Sequence, residues 1–366
     1  MMYRGAVTDK LSSVHPHTAK SPPSEGSAQR GSPVDGTIAR LDRRLCVAPM
    51  MEHTDRHCRF LHRLFAPHAL LYTEMIVSAA LVRGGALRLL EHDARERPVA
   101  LQLGGSDPVE LGEAARLGLQ AGFAEINLNV GCPSDRVRSG AFGACLMLRP
   151  ELVAECTERM RTATSGAVPI TVKCRIGVDE ADSYEFFEHF VATVAPTIDA
   201  LTVHARAALL RGLTPKENRE IPPLRYEYAH RLKRERPQLA VILNGGLADV
   251  DQVARELAGG LDGVMLGRAA YQRPALLAEL EQRLIDPRWR TPEPWWIIEQ
   301  MVPYAREQMR RGVRLHSIAR HLQGLLAGRE GARAWRRFLS ERAARPDAPP
   351  ETLFAALPLL EKAIAA

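Results

Sequence analysis

From residue 44 onward, short and nearly continuous apolar runs alternate with longer amphipathic stretches. The apolar runs lie at 45–50, 70–75, 98–103, 124–130, 170–176, 200–205, 240–246 and 263–268, eight in all. Runs this short, each followed by turn residues, predict strands buried on both faces. Apolar positions three and four apart predict helices between them, over 57–65, 109–120, 151–161, 184–194, 226–236, 249–257 and 273–284. The gap between the second and third strands is less regular. Eight strands alternating with helices predict an α/β protein built on a closed parallel (β/α)8 TIM barrel spanning 39–290. An open doubly wound sheet would carry a glycine fingerprint after its first strand, and Pro49-Met50-Met51-Glu52 is not one.

After about residue 290 the strand pattern stops. Segments 294–311, 315–327, 331–343 and 351–364 have helical character, which predicts a small all-α domain over 291–366. Residues 1–38 are rich in Ser, Pro, Gly and Thr without periodicity, and are expected to form a disordered extension.

Charge sharpens this picture. The chain has a formal net charge of +6, and its 49 basic residues divide into 43 Arg and only 6 Lys. A Lys inside an apolar strand is therefore conspicuous, and Lys173 is one. The window 305–345 holds eleven Arg against three Glu, which fits either a solvated helical face or a polyanion-binding surface. No apolar run reaches the ~20 residues of a membrane span, and the first 36 residues lack the apolar core of a secretory signal. The six cysteines include no C-x-x-C pair, so neither a metal site nor a disulfide framework is indicated, and a reducing cytoplasm is expected.

In barrels of this kind the chemistry lies at the carboxyl ends of the strands. The fourth strand delivers Asn129 and then Cys132, which Pro133 holds out of helical geometry. Two Asn residues upstream and a Gly-rich turn downstream are odd surroundings for a packed structural thiol. The first strand ends in Pro49, Met50 and Met51, the third contributes Gln102, the fifth Lys173 and Arg175, and the sixth His204 and Arg206. The seventh gives Asn244, Gly245 and Gly246, and the eighth Gly267 and Arg268. Glycines after the last two strands let backbone N–H groups approach a phosphate, and Arg268 adds a charge-assisted contact. Lys173 requires an anionic partner. A reduced flavin would supply one, with Gln102 on the amide edge of its ring and the two Met residues packed on a flat surface. There is no second nucleotide-binding fingerprint, so a nicotinamide reductant would dock only transiently.

These residues carry a family resemblance. Ala48-Pro-Met-Met51, Thr54-Asp-Arg-His-Cys-Arg59, Gln102-Leu-Gly-Gly105, Asn129-Val-Gly-Cys-Pro-Ser134, Val172-Lys-Cys-Arg-Ile-Gly177, His204-Ala-Arg206, Leu213-Thr-Pro-Lys-Glu-Asn-Arg-Glu-Ile-Pro-Pro223, Asn244-Gly-Gly246 and Leu266-Gly-Arg268 occur in order. The chain resembles the tRNA-dihydrouridine synthases, specifically their A subfamily, over roughly 44–343. The resemblance implies an FMN-dependent enzyme that reduces the C5=C6 bond of D-loop uridine in tRNA, at position 20 and its neighbour, with NADPH as reductant. It implies that Cys132 is the acid that protonates C5, a role that suits a thiol of ordinary pKa ~8.5, mostly protonated at neutral pH. Pro49, Met50, Met51, Gln102, Lys173, His204, Asn244, Gly245, Gly246, Gly267 and Arg268 would hold FMN. Asn129 and Arg175 would face a uracil flipped out of its stack. Arg206, Lys216, Arg333, Arg336 and Arg337 would contact tRNA, and no metal or obligate protein partner is implied.

Ala207 and Leu209 depart from the subfamily, which would have Lys and Trp there; the change bears on tRNA docking rather than on the flavin. Two other readings stay open on the sequence. A flavin barrel could act on a free pyrimidine or enone, leaving the basic helices unexplained. A tRNA-binding or folding factor with a purely structural barrel would leave Lys173 as an unexplained cost.

Overall fold

The structure, a computed structural model, describes residues 41–134 and 140–356. The expected amino-terminal extension, the 135–139 part of the turn after Cys132 and the last ten residues lie outside the described residues.

Among the described residues nine parallel strands form the sheet: β1 (Leu45–Val47), β2 (Leu70–Tyr72), β3 (Ile76–Val77), β4 (Val99–Gly104), β5 (Glu125–Val130), β6 (Ile170–Cys174), β7 (Ala200–His204), β8 (Ala240–Asn244) and β9 (Gly263–Leu266). β1 pairs with both β2 and β9, and β2 with β4, so eight strands close into a barrel while β3 adds only to the upper end of β4. The expected second strand is thus split. At the break Thr73 donates its N–H to Ala100 O at 2.9 Å and accepts Gln102 N–H on its hydroxyl at 3.0 Å, which continues the ladder without regular strand geometry.

Period-two alternation decides which side chains fill the barrel. Ile126, Leu128 and Val130 of β5 join the main apolar core, whereas Glu125, Asn127 and Asn129 bond to side chains of β2, β4 and β6 across the interior. Cys46, Leu70, Tyr72, Ile242 and Met265 form a separate small apolar cluster. The interior is therefore apolar on one side and polar on the other, which is why β5 reads as an alternating strand.

The helices start where the sequence offers caps. Asp55 accepts the His57 and Cys58 N–H groups (2.9 and 3.0 Å) to open α1 (Arg56–Phe65), and Asp107 opens α3 (Pro108–Ala121), with α2 (Ser78–Val82) between them. The irregular second gap holds the two-residue β3, the short α2 and two 3₁₀ turns. The expected 273–284 helix begins at Ala275, after Pro274, and runs to Leu284. Beyond it, Pro294–Arg310 is one long helix, and Leu315–Ala319 passes into a 3₁₀ turn. Ala332–Phe338 ends in a π turn. These carboxyl-terminal helices share the barrel's apolar core through Ile298, Met301, Leu322 and Trp335, and the described residues pack as one compact unit. Tyr304 stacks on Phe60 of α1 with ring centroids 3.9 Å apart, and its hydroxyl lies 2.7 Å from His57 Nδ1.

Candidate active site

Strand register brings the expected residues together. Gln102 sits opposite Asn127 midway up the barrel, and Asn129 sits opposite Lys173 and His204 opposite Asn244 near its carboxyl rim. Asn129 is the bracket of the thiol turn. Its Oδ1 accepts the N–H groups of Gly131 (3.1 Å) and Cys132 (3.0 Å), while its Nδ2 donates to Gln102 Oε1 at 2.8 Å. Ala144 N–H donates to Cys132 O at 2.9 Å, which pins the far side of the turn. Cys132 is partly exposed, with Ser134 Oγ 3.5 Å from its sulfur. Cys46, Cys58, Cys156 and Cys174 are buried. Cys145 is partly exposed too, but burial raises its pKa and its thiol faces Phe142 O at 3.1 Å.

The mouth is strongly cationic. Lys173 has no carboxylate partner among the described residues; burial first, then the neighbouring Arg175, pulls its pKa down to about 8. His204 is pushed well below its ordinary value by burial and then by Arg175 and Lys173. Arg175 is itself buried, which lowers it to about 10, and it donates to the carbonyls of Gly131 (3.2 Å), Ala207 (3.2 Å) and Asn218 (2.9 Å). Arg175 therefore ties the Cys132 turn to the loop after β7. Arg206 bonds the carbonyls of Glu220 and Pro222, so it is committed to that loop's own shape.

Gly245 and Gly246 have φ of 113° and 69°, and their substitution is blocked on two counts. A Cβ on Gly245 would lie 2.7 Å from His204 Cδ2, and one on Gly246 would lie 2.5 Å from Leu224 Cδ1. Beside them Asn244 Nδ2 donates to Met265 O at 2.7 Å. Gly267 leaves room, with Met50 Sδ 3.6 Å from where its Cβ would stand. Pro49 and Met50 are half-buried and Met51 is exposed at the rim. Arg268 is exposed and paired with Glu220 at 2.5 Å. An unpaired ammonium, a primary-amide pair, a sulfur-lined floor and two glycine turns beside a guanidinium fit a planar, phosphorylated anion.

The comparisons with known proteins agree. Residues 46–360 match the family model described as dihydrouridine synthase. The chain belongs to the dihydrouridine synthase family. It is 51% identical over 314 residues to a tRNA-dihydrouridine(20/20a) synthase of Synechocystis sp., covering 86% of this chain and 93% of that one. It is 53% identical over 310 residues to a protein of the same name from Xanthomonas axonopodis pv. citri (83% and 90% covered), and 50% over 307 residues to one from Yersinia pestis (83% and 88%). Among solved structures, histamine dehydrogenase from Rhizobium sp. 4-9 superposes with a TM-score of 0.52 at 14% identity. The match covers 67% of this chain and 47% of that structure, a likeness of fold.

For a dihydrouridine synthase the remaining residues expected at the site divide in two. Lys216 is exposed on the loop after β7, whereas Arg333, Arg336 and Arg337 are exposed on the 332–338 helix, which Trp335 anchors through Nε1 to Leu322 O at 2.7 Å. No contact joins those three arginines to the barrel rim among the described residues. The sequence reading missed Asn127, which accepts Gln102 Nε2 at 2.8 Å, and Asn218. Asn218 is fully buried and clasps both the N–H and the carbonyl of Leu209 at 2.8 Å. Its place inside the 213–223 motif was the available signal. The clasp also shows that the departures at Ala207 and Leu209 leave the backbone contacts of this loop in place, since those run through main-chain atoms.

Proposed function

We propose that the enzyme is a cytoplasmic tRNA-dihydrouridine synthase that reduces D-loop uridine at position 20 and its neighbour, holding FMN in the barrel mouth and drawing on NADPH. The observation that carries the reading is Lys173, a half-buried ammonium without a carboxylate partner in a protein of the dihydrouridine synthase family. An enzyme acting on a free pyrimidine would have no use for the exposed arginines of 332–338.

When bound, FMN supplies the hydride that uridine receives at C6. Lys173 and Gln102 offer cationic and amide donors to its ring, Pro49, Met50 and Met51 an apolar floor, and His204 a neutral imidazole at the rim. Asn244, Gly245, Gly246 and Gly267 shape the phosphate end, where Arg268 would exchange part of its pairing with Glu220 for the phosphate. Cys132 Sγ holds the proton that C5 takes up, and the two N–H bonds to Asn129 keep its turn fixed. Asn129 retains one N–H, and Arg175 its outer nitrogen, for a flipped-out uracil. Lys216 and the arginines of the carboxyl-terminal helices, which with residues 291–366 form the tRNA-binding part, would guide the RNA, while Arg206 holds the shape of the loop that carries Lys216.

The test is a comparison of wild type with Cys132→Ala. Both should purify with bound flavin, and only the wild type should form dihydrouridine in unmodified tRNA with NADPH, the variant falling by at least about 10²-fold. A colourless, inactive wild type would overturn the flavoenzyme reading; full turnover by the variant would remove Cys132 from its role.

A further inference from the structure

A hydrogen-bonded column climbs the inside of the barrel from its amino-terminal floor to the thiol turn. At the floor Glu125, fully buried, accepts Arg43 Nε at 2.8 Å. Two hydroxyls donate to the same Glu125 Oε1, that of Tyr72 and that of Thr171, the latter at 2.7 Å. From Thr171 the column rises. Asn127 Nδ2 donates to Thr171 Oγ1, Gln102 Nε2 to Asn127 Oδ1, and Asn129 Nδ2 to Gln102 Oε1, each at 2.8 Å. It ends on the Gly131 and Cys132 N–H groups held by Asn129 Oδ1.

The direction of every bond follows from the bottom. A carboxylate paired with arginine only accepts, so Thr171 must donate downward and accept from above. Asn127 must then present its NH₂ to Thr171 and its oxygen to Gln102. Gln102 is forced to give an N–H to Asn127 and its oxygen to Asn129, and Asn129 is left with its oxygen toward the thiol turn. An amide flip anywhere would set N–H against N–H or O against O, at a cost of about one buried hydrogen bond or more per clash.

We propose that Thr171 and Asn127 are positioning residues: with Glu125 they fix the amide orientation of Gln102 and Asn129, and through them the face shown to the flavin and the placement of the Cys132 turn. This rests on the function proposed above. Neither Thr171 nor Asn127 touches the rim, so their influence reaches the chemistry only through the column.

Removing the hydroxyl of Thr171 cuts the column while leaving Arg43, Glu125 and Tyr72 paired. Asn127 Nδ2 is then left without its acceptor, and the amides of Asn127, Gln102 and Asn129 are held only from the top, by the Gly131 and Cys132 N–H groups on Asn129 Oδ1. Tyr72→Phe is the control, because it removes the other hydroxyl from the same carboxylate without cutting the column. Wild type, Thr171→Val, Thr171→Ala, Thr171→Ser and Tyr72→Phe should be compared for the visible spectrum of the bound flavin and for kcat and KM on unmodified tRNA. Thr171→Val should lower kcat about ten- to a hundredfold, with KM for tRNA changed less than about twofold, and should shift the flavin bands. Thr171→Ala serves the same purpose if the valine variant does not fold. Thr171→Ser should restore both readouts, and Tyr72→Phe should match wild type in kcat and spectrum. If the Thr171→Val enzyme is indistinguishable from an active, yellow wild type, or Tyr72→Phe loses as much, the positioning role is wrong while the proposed function stands. A colourless, inactive wild type takes both readings down together.

Discussion

Lys173 is the residue whose energetics most depend on what the barrel mouth holds. An ammonium lowered to about 8 by burial and by Arg175 is half discharged in mildly alkaline buffer when the mouth contains no anion. Its unfolded-state value of 10.5 lies higher, so the unfolded chain binds more protons between these values. The flavin-free protein therefore gains stability as pH rises from about 8 toward 10.5, and carries the cost of the buried charge below that window. Flavin binding has the opposite sign, because it favours the protonated ammonium. Flavin affinity should be level up to about pH 7 and then fall, by as much as about tenfold per pH unit above pH 8. Fluorescence titration of the flavin-free protein against FMN across this range would measure it, and Lys173→Met should bind more weakly with a flatter profile. A wild-type profile as flat as the variant's would mean that Lys173 does not face the flavin. Lys173 was legible in the sequence because a lone Lys in an apolar strand of an Arg-rich chain is an anomaly that demands a partner. Asn127 and Thr171 were not, since one polar residue in an alternating strand looks like any other until the barrel closes and links Gln102, Asn127 and Thr171 through their side chains.

Among the elements, α1 joins the two halves of the fold. Its cap, Asp55, also pairs with Arg320 Nη2 at 2.8 Å and lies 3.0 Å from His321 Nε2, both in the carboxyl-terminal helices. Burial pushes this carboxyl up, but the His321 contact and the Cys58 N–H outweigh it and hold the group below the usual carboxylate range. One carboxylate thus starts a barrel helix and fastens the following helices to it. Asp55→Ala should cost about 2–4 kcal/mol, the sum of a lost cap and a broken, largely buried pair. Asp55→Ser, which keeps the cap and loses the pair, should cost roughly half. Denaturant titrations of the three proteins would separate the terms, and equal losses in both variants would show that the cap contributes nothing. Element boundaries show what sequence can convey at this scale. The eight barrel strands follow from runs buried on both faces, which tolerate no polar interruption except inward. The split of the second strand does not, because Thr73 substitutes for ladder bonds with its hydroxyl, and 70–75 reads as one run until its partner strand is known. The single shared core of barrel and trailing helices was equally hidden, since the apolar faces of 294–310 and α1 reveal their periods but not each other.

For the whole molecule, the distribution of arginine decides how a polyanion would be held. Most barrel arginines at the rim are spent on carbonyls or carboxylates: Arg175 and Arg206 on loop carbonyls, Arg268 on Glu220. The 332–338 helix is different. Arg333 and Arg336 are exposed without a carboxylate partner among the described residues, and Arg337 pairs only with Glu341 one turn on, at 2.8 Å. An exposed pair of that spacing is worth about 0.3–0.5 kcal/mol and yields readily to a phosphate. Free cations on a rigid helix release counterions on meeting RNA, so their contribution appears in the salt dependence rather than in the chemistry. Arg336→Glu with Arg337→Glu should weaken tRNA binding at low salt and flatten the plot of log K against log salt by roughly two. Arg336 should account for the larger share, because Arg337 must first give up Glu341. Bound flavin and its spectrum should be untouched, since the helix is anchored through Trp335 and Leu322 rather than through the barrel rim. Filter-binding across a salt series, with flavin absorbance measured on the same preparations, settles the division. A variant that binds tRNA with the wild-type salt slope would move the RNA surface off this helix, and one that loses its flavin would show that the carboxyl-terminal helices hold the mouth in shape as well.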